Sequence, residues 1–427
     1  MNSAFPSRPR RRDVLAGLAG AAATFSLPKT AFGQAPPKVV AIGGGFAGAT
    51  CARALKENLP NASVQLIEPN ETFIACPFSN EVIAGLREIA AQQFGYYGIR
   101  KAGVNVIKAS ATSVDTTAKT VALSDGVTLG YDRLVVSPGI DLRFDALPGY
   151  DAAAAETLPH AWKAGPQTLL LRKQLEAMED GGTVIISAPA NPFRCPPGPY
   201  ERASLIAYYL KTKKPRSKLL ILDAKDVFSK QKLFQVAWKE LYPNLEWVGE
   251  SGGGKVIRVD AKTMSVESEF GSHVGNVINI IPPQRAGAIA QSAGVADQTG
   301  WCPIDPTSFE SRLKPGIHII GDAAIAGAMP KSAFAANAQA KACADAVTAL
   351  LQGEKPTEPR LINTCYSLAA PGYGISVAGV YKPTNGLLAD IPGAGGTSPD
   401  NAPTAIREQE ATYADAWFKA ITNEVFG

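Results

Sequence analysis

Apolar residues near the start of the chain follow a strand, turn and helix pattern. The run Lys38-Val-Val-Ala-Ile42 has the length and composition of a buried strand, and it stops at a glycine-rich turn. Helical spacing of apolar residues then covers Phe46–Leu59, and a second strand-like run covers Ser63–Glu68. This order of elements predicts a βαβ unit of a doubly wound sheet.

A similar order of elements returns later in the chain. Strand patterns cover Thr183–Ser187 and Lys218–Asp223, and a helical pattern covers Tyr200–Lys211 between them. The segment 188–199 is rich in proline and has no glycine pattern, so it offers few of the backbone N–H groups that a pyrophosphate needs. We therefore predict an α/β fold with two doubly wound, Rossmann-like domains, the second without a nucleotide fingerprint.

A smaller C-terminal domain is expected after the two α/β domains. The expected boundaries are 38–148 and 287–356 for the discontinuous first domain, 149–286 for the second and 357–427 for the third. The last segment is rich in proline, glycine, asparagine and tyrosine, and it ends in a helical pattern over Ala402–Glu424. Tyr413 and Trp417 are four residues apart there, which places them on one face of the helix.

Residues 1–33 have the features of a removable export signal. Arg11 and Arg12 form a twin-arginine pair, and the apolar run Val14–Leu27 that follows is too short to span a bilayer. Cleavage before Gln34 would leave a mature chain without a transmembrane segment. The pattern predicts export of the folded protein by the twin-arginine route to the periplasm, where disulfides persist.

The charge of the chain does not indicate nucleic-acid binding. The formal net charge is +4, and the chain has 46% hydrophobic and 19% charged residues, as ordinary globular proteins do. Residues 1–33 account for the excess, because they hold five basic side chains and one acidic one. The remaining chain is neutral, so we expect no nucleic-acid partner.

The glycine turn and one acidic residue predict a dinucleotide site. Gly43, Gly45 and Gly48 form a Gly-x-Gly-x-x-Gly turn between strand and helix, which brings backbone N–H groups to a pyrophosphate. Glu68 stands 20 residues after Gly48, where an acidic side chain accepts hydrogen bonds from the adenosine ribose. These four residues are therefore candidate cofactor ligands.

Two later segments favour FAD as the dinucleotide. Tyr131–Gly139 resembles the flavoprotein strand that returns to the nucleotide, so Gly139 is a candidate ligand. Gly316–Asp322 resembles the late strand whose final aspartate, here Asp322, holds the flavin ribityl chain. A helix from about Ser332 would point its N-terminal dipole at the pyrimidine edge of the flavin. The expected fold is that of the FAD/NAD(P)-linked disulfide reductases.

The six cysteines fall into two groups. Cys51 and Cys343 lie among alanines in helical patterns and Cys302 lies between tryptophan and proline, so packing is favoured for all three. The other three lie in loop-like segments where a structural and a reactive role are equally open: Cys76, Cys195 and Cys365. The chain has no C-x-x-C or C-x-x-C-H motif, so we expect no metal site here and any c-type haem on a partner chain.

Several segments of the chain resemble the flavoprotein subunits of flavocytochrome c sulfide dehydrogenases, and the resemblance covers nearly all of the chain after the signal. The most specific segments are Cys76–Gly85, Pro192–Glu201, Gly300–Pro303, Met329–Ser332, Asn363–Ser367 and Tyr373–Val377. The resemblance implies that the C-terminal domain covers the flavin and contacts a partner subunit.

The same resemblance implies a cofactor linkage and a redox centre. Cys76 corresponds to the cysteine that carries FAD through a thioether to the flavin 8-methyl group. Cys195 and Cys365 correspond to the pair that forms a redox disulfide over the isoalloxazine. The implied reaction oxidises sulfide to sulfur or polysulfide and passes electrons to haem c on a c-type cytochrome subunit. Arg194 is expected either to lower the pKa of a thiol and attract the anionic substrate, or to be a solvated loop charge.

Three alternatives stay open at this point. A sulfide:quinone oxidoreductase has similar cysteines but reduces membrane quinone, and the charged C-terminal helix fits a protein partner better. A non-catalytic flavoprotein that serves a sulfur-oxidising complex is disfavoured by the intact Cys195 and Cys365. A pyridine-nucleotide disulfide reductase is disfavoured by the proline-rich segment 188–199.

Overall fold

A five-stranded parallel sheet forms the first part of the fold in the computed structural model, which describes residues 35–427. Its strands, in spatial order, are Ile317–Ile319, Arg133–Val136, Lys38–Ile42, Ser63–Ile67 and Asn105–Ile107. Val39, Val40 and Ala41 in the central strand are fully buried, as expected for a parallel sheet covered on both faces. The export signal expected over residues 1–33 lies outside the described residues.

A second parallel sheet has four strands. In spatial order they are Leu245–Val248, Lys218–Asp223, Thr183–Ala188 and Val277–Ile280. The two sheets and the helices between their strands confirm the predicted α/β class with two doubly wound units. The proposed domain boundaries stay a prediction.

Nine α-helices lie within residues 35–427. They are α1 (Phe46–Asn58), α2 (Ser79–Ile83), α3 (Tyr97–Lys101), α4 (Pro166–Ala177), α5 (Gly198–Lys213), α6 (Gln231–Leu241), α7 (Ala288–Ser292), α8 (Ala333–Leu351) and α9 (Thr404–Phe426). The helix predicted over Tyr200–Lys211 begins two residues earlier, because Pro199 fits the first turn, where its missing N–H has no intrahelical partner to lose. None of these helices is both long and apolar enough to cross a membrane.

Smaller antiparallel and paired strands surround the two parallel sheets. Two three-stranded sheets consist of Ala111–Asp115, Thr120–Leu123 and Thr128–Gly130, and of Val256–Asp260, Ser265–Ser268 and Gly271–Val274. The paired strands are Thr72–Ile74 with Gln93–Gly95, Ile140–Leu142 with Gln284–Ala286, and Cys302–Pro303 with Ala324–Ile325.

The C-terminal segment forms an antiparallel sheet followed by a long helix. The sheet contains Leu361–Ala370, Tyr373–Thr384, Leu387–Asp390 and the short strand Gly396–Thr397. α9 runs over Thr404–Phe426, two residues later at each end than the predicted helix. Tyr413 is exposed and Trp417 is only partly exposed, so the two aromatic residues do not share one environment.

The last turn of α9 is held in an aromatic cluster beside the glycine turn. The ring of Phe426 lies 6.0 Å from Phe46, 5.3 Å from Phe73, 5.6 Å from Phe94 and 6.0 Å from Tyr96, measured between ring centroids. Each aromatic pair of this kind contributes on the order of 1 kcal/mol beyond the burial of its surface. The cluster therefore fixes the C-terminal helix against the first turn of α1.

The second parallel sheet ends in a carboxylate that is bonded within the protein. Asp223, the last residue of its strand, is fully buried and accepts hydrogen bonds from Tyr200 (2.7 Å), Trp247 (3.0 Å) and Lys225 (2.5 Å). The Tyr200 ring in turn stacks on Phe228 at 3.6 Å. In nucleotide-binding domains an acidic group near this point of the second strand holds a ribose, whereas here it binds three side chains.

Candidate functional site

A cavity of about 600 Å³ lies between the glycine turn, the proline-rich segment and the C-terminal sheet. Its volume is in the range of small-molecule and cofactor sites. Of the nine residues predicted from the sequence, eight line it: Gly43, Gly45, Glu68, Cys76, Gly139, Cys195, Asp322 and Cys365. Gly48 is the exception. The structure therefore brings the candidate flavin ligands and the three candidate reactive cysteines to one place, which we call the main cavity.

Two glycines of the turn are required by close packing. Gly43 has a φ of 96°, and a Cβ there would lie 2.4 Å from the Ser137 carbonyl oxygen. A Cβ on Gly48 would lie 1.9 Å from the Gly43 carbonyl oxygen. Gly48 thus acts by letting α1 approach the turn, although it does not line the main cavity. The N-terminus of α1 then faces the main cavity, where its N–H groups would stabilise a pyrophosphate.

Glu68 holds the glycine turn from the end of the second strand. Its carboxylate accepts hydrogen bonds from the Gly44 amide at 2.8 Å and from the Asn70 amide and side chain at 2.9 and 2.8 Å. Tyr96 donates to the Gly44 carbonyl at 3.1 Å. Because Glu68 also lines the main cavity, it is placed both to support the turn and to accept hydrogen bonds from a ribose.

Gly139 and the start of α8 also line the main cavity, and both are features expected beside a flavin. Gly139 has a φ of 64° and open space where a Cβ would point, so a flat ring system can approach its backbone. The predicted helix after Ser332 is confirmed as α8. Ser332 accepts a hydrogen bond from the Ala335 amide at 3.0 Å, and α8 begins at the cavity wall. Its positive dipole end favours negative charge there.

Asp322 is balanced by two cations. Arg194 lies 3.8 Å from its carboxylate, and Lys331 donates to its backbone carbonyl at 2.7 Å. Burial raises the pKa of the Asp322 carboxyl, and the charges of Arg194 and Lys331 offset part of that rise. Burial also lowers the pKa of Lys331 to about 8, although Asp322 and Cys302 counteract it. The group expected to hold the ribityl chain is thus embedded in a charged cluster.

Cys195 has an unusual backbone conformation. Its φ of 58° is in the left-handed region, which costs a non-glycine residue about 1–3 kcal/mol. Two hydrogen bonds hold it there: its amide donates to the Lys331 carbonyl at 2.8 Å, and its carbonyl accepts from Gly198 at 2.8 Å. A Cβ on Gly198 would lie 3.0 Å from the Cys195 Sγ, so glycine makes room for the sulfur at the start of α5.

Cys365 is held on the first strand of the C-terminal sheet. Lys230 donates to its carbonyl at 2.9 Å and to the Ser367 hydroxyl at 2.7 Å, while the Asn363 amide lies 3.8 Å from its Sγ. Cys195 and Cys365 are both free thiols in the structure, so the disulfide that the resemblance implies is not formed here. The two thiols nevertheless line the same cavity.

The charge of Arg194 acts on the pKa of the Cys195 thiol in the expected direction, but burial outweighs it. Burial raises the pKa of the Cys195 thiol, and the nearby Cys365 and Glu201 raise it further. Arg194 and Lys230 lower that pKa, but by less than burial raises it. Arg194 is also not a solvated loop charge, because it pairs with Asp322 and donates to the Trp162 carbonyl. The sequence predicted that Arg194 lies close to Cys195, but it did not predict how deeply the Cys195 thiol is buried.

The other cysteines also occupy distinct environments. Cys76 is partly exposed to the main cavity, and its Sγ lies 3.9 Å from the Trp162 carbonyl oxygen. Cys51, Cys302 and Cys343 are fully buried away from it, as expected for packing. Within residues 35–427, no group of three or more His, Cys, Asp or Glu side chains is arranged to hold a metal ion.

Sequence reasoning missed three polar residues near the cysteines. Asn80 and Glu201 line the main cavity, and Lys230, directly before α6, binds the Cys365 strand. Glu201 lies six residues after Cys195, in the first turns of α5. Its position near the start of that helix could have indicated that it lies close to Cys195. The contact of Lys230 joins residues 135 positions apart and has no local signature.

Comparison with known families gives three matches along the chain. Residues 168–282 match the central family of the sulfide dehydrogenase (flavocytochrome c) flavoprotein chain. Residues 357–426 match the flavin-binding family of flavocytochrome c sulphide dehydrogenase. Residues 37–169 match the pyridine nucleotide-disulphide oxidoreductase family.

Two solved structures share the fold. The sulfide:quinone oxidoreductase of Aquifex aeolicus has a TM-score of 0.73 at 18% identity, over 91% of this chain and 92% of that one. Putidaredoxin reductase, in its covalent complex with putidaredoxin, has a TM-score of 0.64 at 16% identity, over 90% of this chain and 94% of that one. The family matches, together with the fold and the cavity, define a flavin-binding protein of the pyridine nucleotide-disulphide oxidoreductase class.

Two curated relatives narrow this class. The flavoprotein chain of sulfide dehydrogenase (flavocytochrome c) from Chlorobaculum thiosulfatiphilum is 51% identical over 45 residues, which are 10% of this chain and 94% of that sequence. The mitochondrial sulfide:quinone oxidoreductase of Dictyostelium discoideum is 22% identical over 299 residues, or 67% of this chain and 65% of that protein. The chain thus spans just under two thirds of the Dictyostelium relative. It belongs to the flavoprotein chains of flavocytochrome c sulfide dehydrogenase.

We expect Cys195 in the reduced protein to titrate at high pH. Iodoacetamide reacts with the thiolate, so the rate of modification follows the pKa of the thiol. The midpoint for Cys195 should lie above the value of about 8.5 of an ordinary cysteine. Glu201→Gln should move it to lower pH, because it removes a neighbouring negative charge. Mass spectrometry of the alkylated Cys195 peptide over a pH series measures the midpoints of the wild type and of Glu201→Gln, with the urea-unfolded chain as reference. A native midpoint at or below that reference would contradict the burial argument.

Proposed function

We propose that the protein oxidises sulfide with Cys195 and Cys365 as a redox pair and passes the electrons through FAD to a c-type cytochrome. The observation that carries this proposal is that both cysteines line the same cavity as the candidate flavin ligands. Membership of the flavocytochrome c sulfide dehydrogenase flavoprotein family supports the substrate class.

The first step is thiol–disulfide chemistry. In the oxidised protein, Cys195 and Cys365 form a disulfide, and hydrosulfide attacks one of its sulfur atoms. The Sγ–Sγ bond breaks as a new S–S bond joins the substrate sulfur to one cysteine. That cysteine becomes a persulfide, which retains the proton of hydrosulfide, and the other leaves as a thiolate. No electron leaves the two cysteines and the substrate in this step.

The second step regenerates the disulfide. The thiolate and the persulfide rejoin as Cys195–Cys365, the substrate sulfur leaves as sulfur or polysulfide, and one proton and two electrons are released. Bound FAD would supply the two-electron acceptor and release electrons singly to a haem. Over both steps, hydrosulfide becomes zero-valent sulfur, one proton and two electrons.

Charged residues around the main cavity support an anionic substrate. Arg194 and Lys230 both act on Cys195 electrostatically and favour its thiolate over its thiol. The same positive charges attract hydrosulfide and stabilise the thiolate that leaves in the first step. Burial opposes free thiolate, so the negative charge is favoured only while these cations stay close.

A wall shared with a second cavity supports a protein electron acceptor. Phe334 and Trp417 stack at 6.1 Å with an interplanar angle of 10°, and both line the main cavity and a groove of about 500 Å³ beyond it. The groove also contains Ile362, whose exposed fraction is 52%. A c-type cytochrome seated there would approach the flavin across two aromatic rings.

Anaerobic addition of sulfide tests the redox pair. We expect sulfide to bleach the flavin of the purified protein, and Cys195→Ser to slow bleaching about 1,000-fold or more, since a nucleophile that acts as part of a unit is lost. Cys343→Ala, which changes a buried cysteine outside the main cavity, is the matched control and should bleach normally. Reoxidation by cytochrome c, a soluble quinone or NAD(P)⁺ then identifies the acceptor. Bleaching of Cys195→Ser at the control rate would rule out the disulfide mechanism. Faster reoxidation by quinone than by cytochrome c would contradict a cytochrome as the electron acceptor.

We also propose that FAD is attached covalently, as an 8α-S-cysteinyl flavin at Cys76. The position of the Cys76 sulfur at the cavity edge supports a thioether to the flavin 8-methyl group. Acid precipitation should leave the yellow colour in the pellet of the wild-type protein and release it to the supernatant from Cys76→Ala. Complete release from the wild type would show that the flavin is held without a covalent bond.

Export of the folded protein by the twin-arginine route to the periplasm is a further proposal, supported by the arginine pair and apolar run of residues 1–33. We expect the exported protein to begin at Gln34, as measured by intact mass. Replacing Arg11 and Arg12 by lysine should leave the precursor in the cytoplasm, whereas Lys29→Arg should not affect export. Normal export of the double-lysine variant would contradict this route.

A further inference from the structure

One carboxylate connects the cysteine-bearing segments of the main cavity. Glu201 lies near the start of α5, the helix that follows the Cys195 loop, and its Oε2 accepts a hydrogen bond from the Asn80 side chain at 2.8 Å. Its Oε1 accepts from the backbone amide of Leu368 at 2.9 Å. Asn80 belongs to α2, directly after the Cys76 loop, and Leu368 belongs to the strand that holds Cys365. Glu201 therefore joins three segments that are far apart in sequence.

The Asn80 side chain uses both ends of its amide. Its Nδ2 donates to Glu201, while its Oδ1 accepts a hydrogen bond from the Arg202 Nε at 3.0 Å. Asn80 is buried, with an exposed fraction of 7%. A carboxylamide supplies a donor and an acceptor on two separate atoms of one flat group, which an ionised carboxylate or an alkyl group of this shape does not. Consecutive acidic and basic residues of α5 thus hold one asparagine between them.

Arg202, which donates to the Asn80 oxygen, is itself held by several hydrogen bonds. It is 2% exposed and donates to the His160 carbonyl (3.0 Å), the Ala161 carbonyl (2.6 Å) and the Asn279 side chain (3.0 Å). Burial lowers the pKa of Arg202 to about 10, so the guanidinium stays charged near neutral pH. These hydrogen bonds of the Arg202 guanidinium, like the one to Asn80, all go to neutral acceptors. The guanidinium is therefore fixed by geometry, and it holds the Asn80 oxygen in one place.

We infer that Asn80 is a positioning residue that sets the Cys195 and Cys365 segments relative to the Cys76 segment, acting through Glu201. The inference rests on the proposed sulfide chemistry for its consequence, because displacement of the two sulfurs by about 1 Å from the flavin is expected to slow the reaction by about 100-fold. The hydrogen bonds that join Asn80, Glu201 and Leu368 do not depend on that chemistry.

A second carboxylate at position 80 would change the site in a pH-dependent way. Other charges also face Glu201: Lys230, before α6, lowers the pKa of its carboxyl, while Glu81 on α2 raises it, and burial raises it most. In Asn80→Asp, two carboxyl groups within hydrogen-bond distance would share one proton, which raises one pKa strongly. The shared proton replaces the lost amide N–H at low pH, whereas the two groups repel each other once it dissociates.

Asn80→Asp should therefore be rescued by acid. We expect its sulfide-bleaching rate to be near the wild-type value at about pH 5.5 and about 100-fold lower at about pH 8, as the shared proton is lost. The matched control is Asn58→Asp, because Asn58 likewise donates to a carboxylate, that of Asp345 at 2.9 Å, but on the surface and outside the main cavity. The ratio of variant to wild-type rates should be independent of pH for Asn58→Asp.

Alkylation of Cys195 gives a second measurement that does not need sulfide. Asn80→Asp adds a negative charge near Glu201, so the alkylation midpoint of Cys195 should move to higher pH than in the wild type. Asn80→Leu adds no charge, and Glu201 stays ionised at the high pH where Cys195 titrates, so the midpoint should stay near that of the wild type. Loss of packing alone would shift both variants in the same direction.

The two measurements separate the inference from the proposed function. Failure of the wild type to bleach with sulfide would refute the proposed function, while an upward alkylation shift in Asn80→Asp that is absent from Asn80→Leu would still support the role of Asn80. A wild type that bleaches, together with an Asn80→Asp rate ratio that does not change with pH, would overturn the positioning role. Alkylation shifts in one direction for both variants would overturn it as well.

Discussion

The hydrogen bond from the Cys195 amide to the Lys331 carbonyl is the contact on which the main cavity depends. It connects the proline-rich loop after the strand Thr183–Ala188 to the segment that leads into α8, and both segments contribute residues to the lining of the main cavity. Lys331 is itself fixed, because its ammonium donates to the Asp322 and Ala324 carbonyls and lies 4.0 Å from the centre of the Trp301 ring. The left-handed backbone conformation of Cys195 is tolerated because the hydrogen bonds and packing around it hold it there.

Burial and charge act against each other throughout this cavity. Desolvation raises the pKa of Cys195, Glu201 and Asp322, and it lowers that of Lys230 and Lys331, so each group is shifted toward its neutral form. Opposite charges nearby offset part of each shift. A disulfide in such a place would carry no charge to desolvate, and its cleavage would release a thiolate only next to cations. The arrangement therefore favours attack by an incoming anion over free thiolate at rest.

Local spacing predicted the α/β class, the glycine turn, Glu68 and the start of α8, because these depend on residues close together in sequence. The pairing of Cys195 with Cys365 did not follow from spacing, since 170 residues separate them, and it came from family resemblance. The sign of the Cys195 pKa shift was also beyond the sequence: Arg194 was visible, but the burial that outweighs it arises from three converging segments. The hydrogen bond from Leu368 to Glu201 was hidden for the same reason.

The internal bonds of Asp223 bear on how this fold can change over evolutionary time. A lineage that acquired a nucleotide site at the second sheet would have to release this carboxylate from Tyr200, Trp247 and Lys225. Each released donor that stays buried costs about 1–3 kcal/mol, so the single-substitution intermediates would be less stable than either end point. With typical stabilities of about 5–15 kcal/mol, few such steps are tolerated together. The hydrogen bonds of Asp223 therefore disfavour a nucleotide at the second sheet.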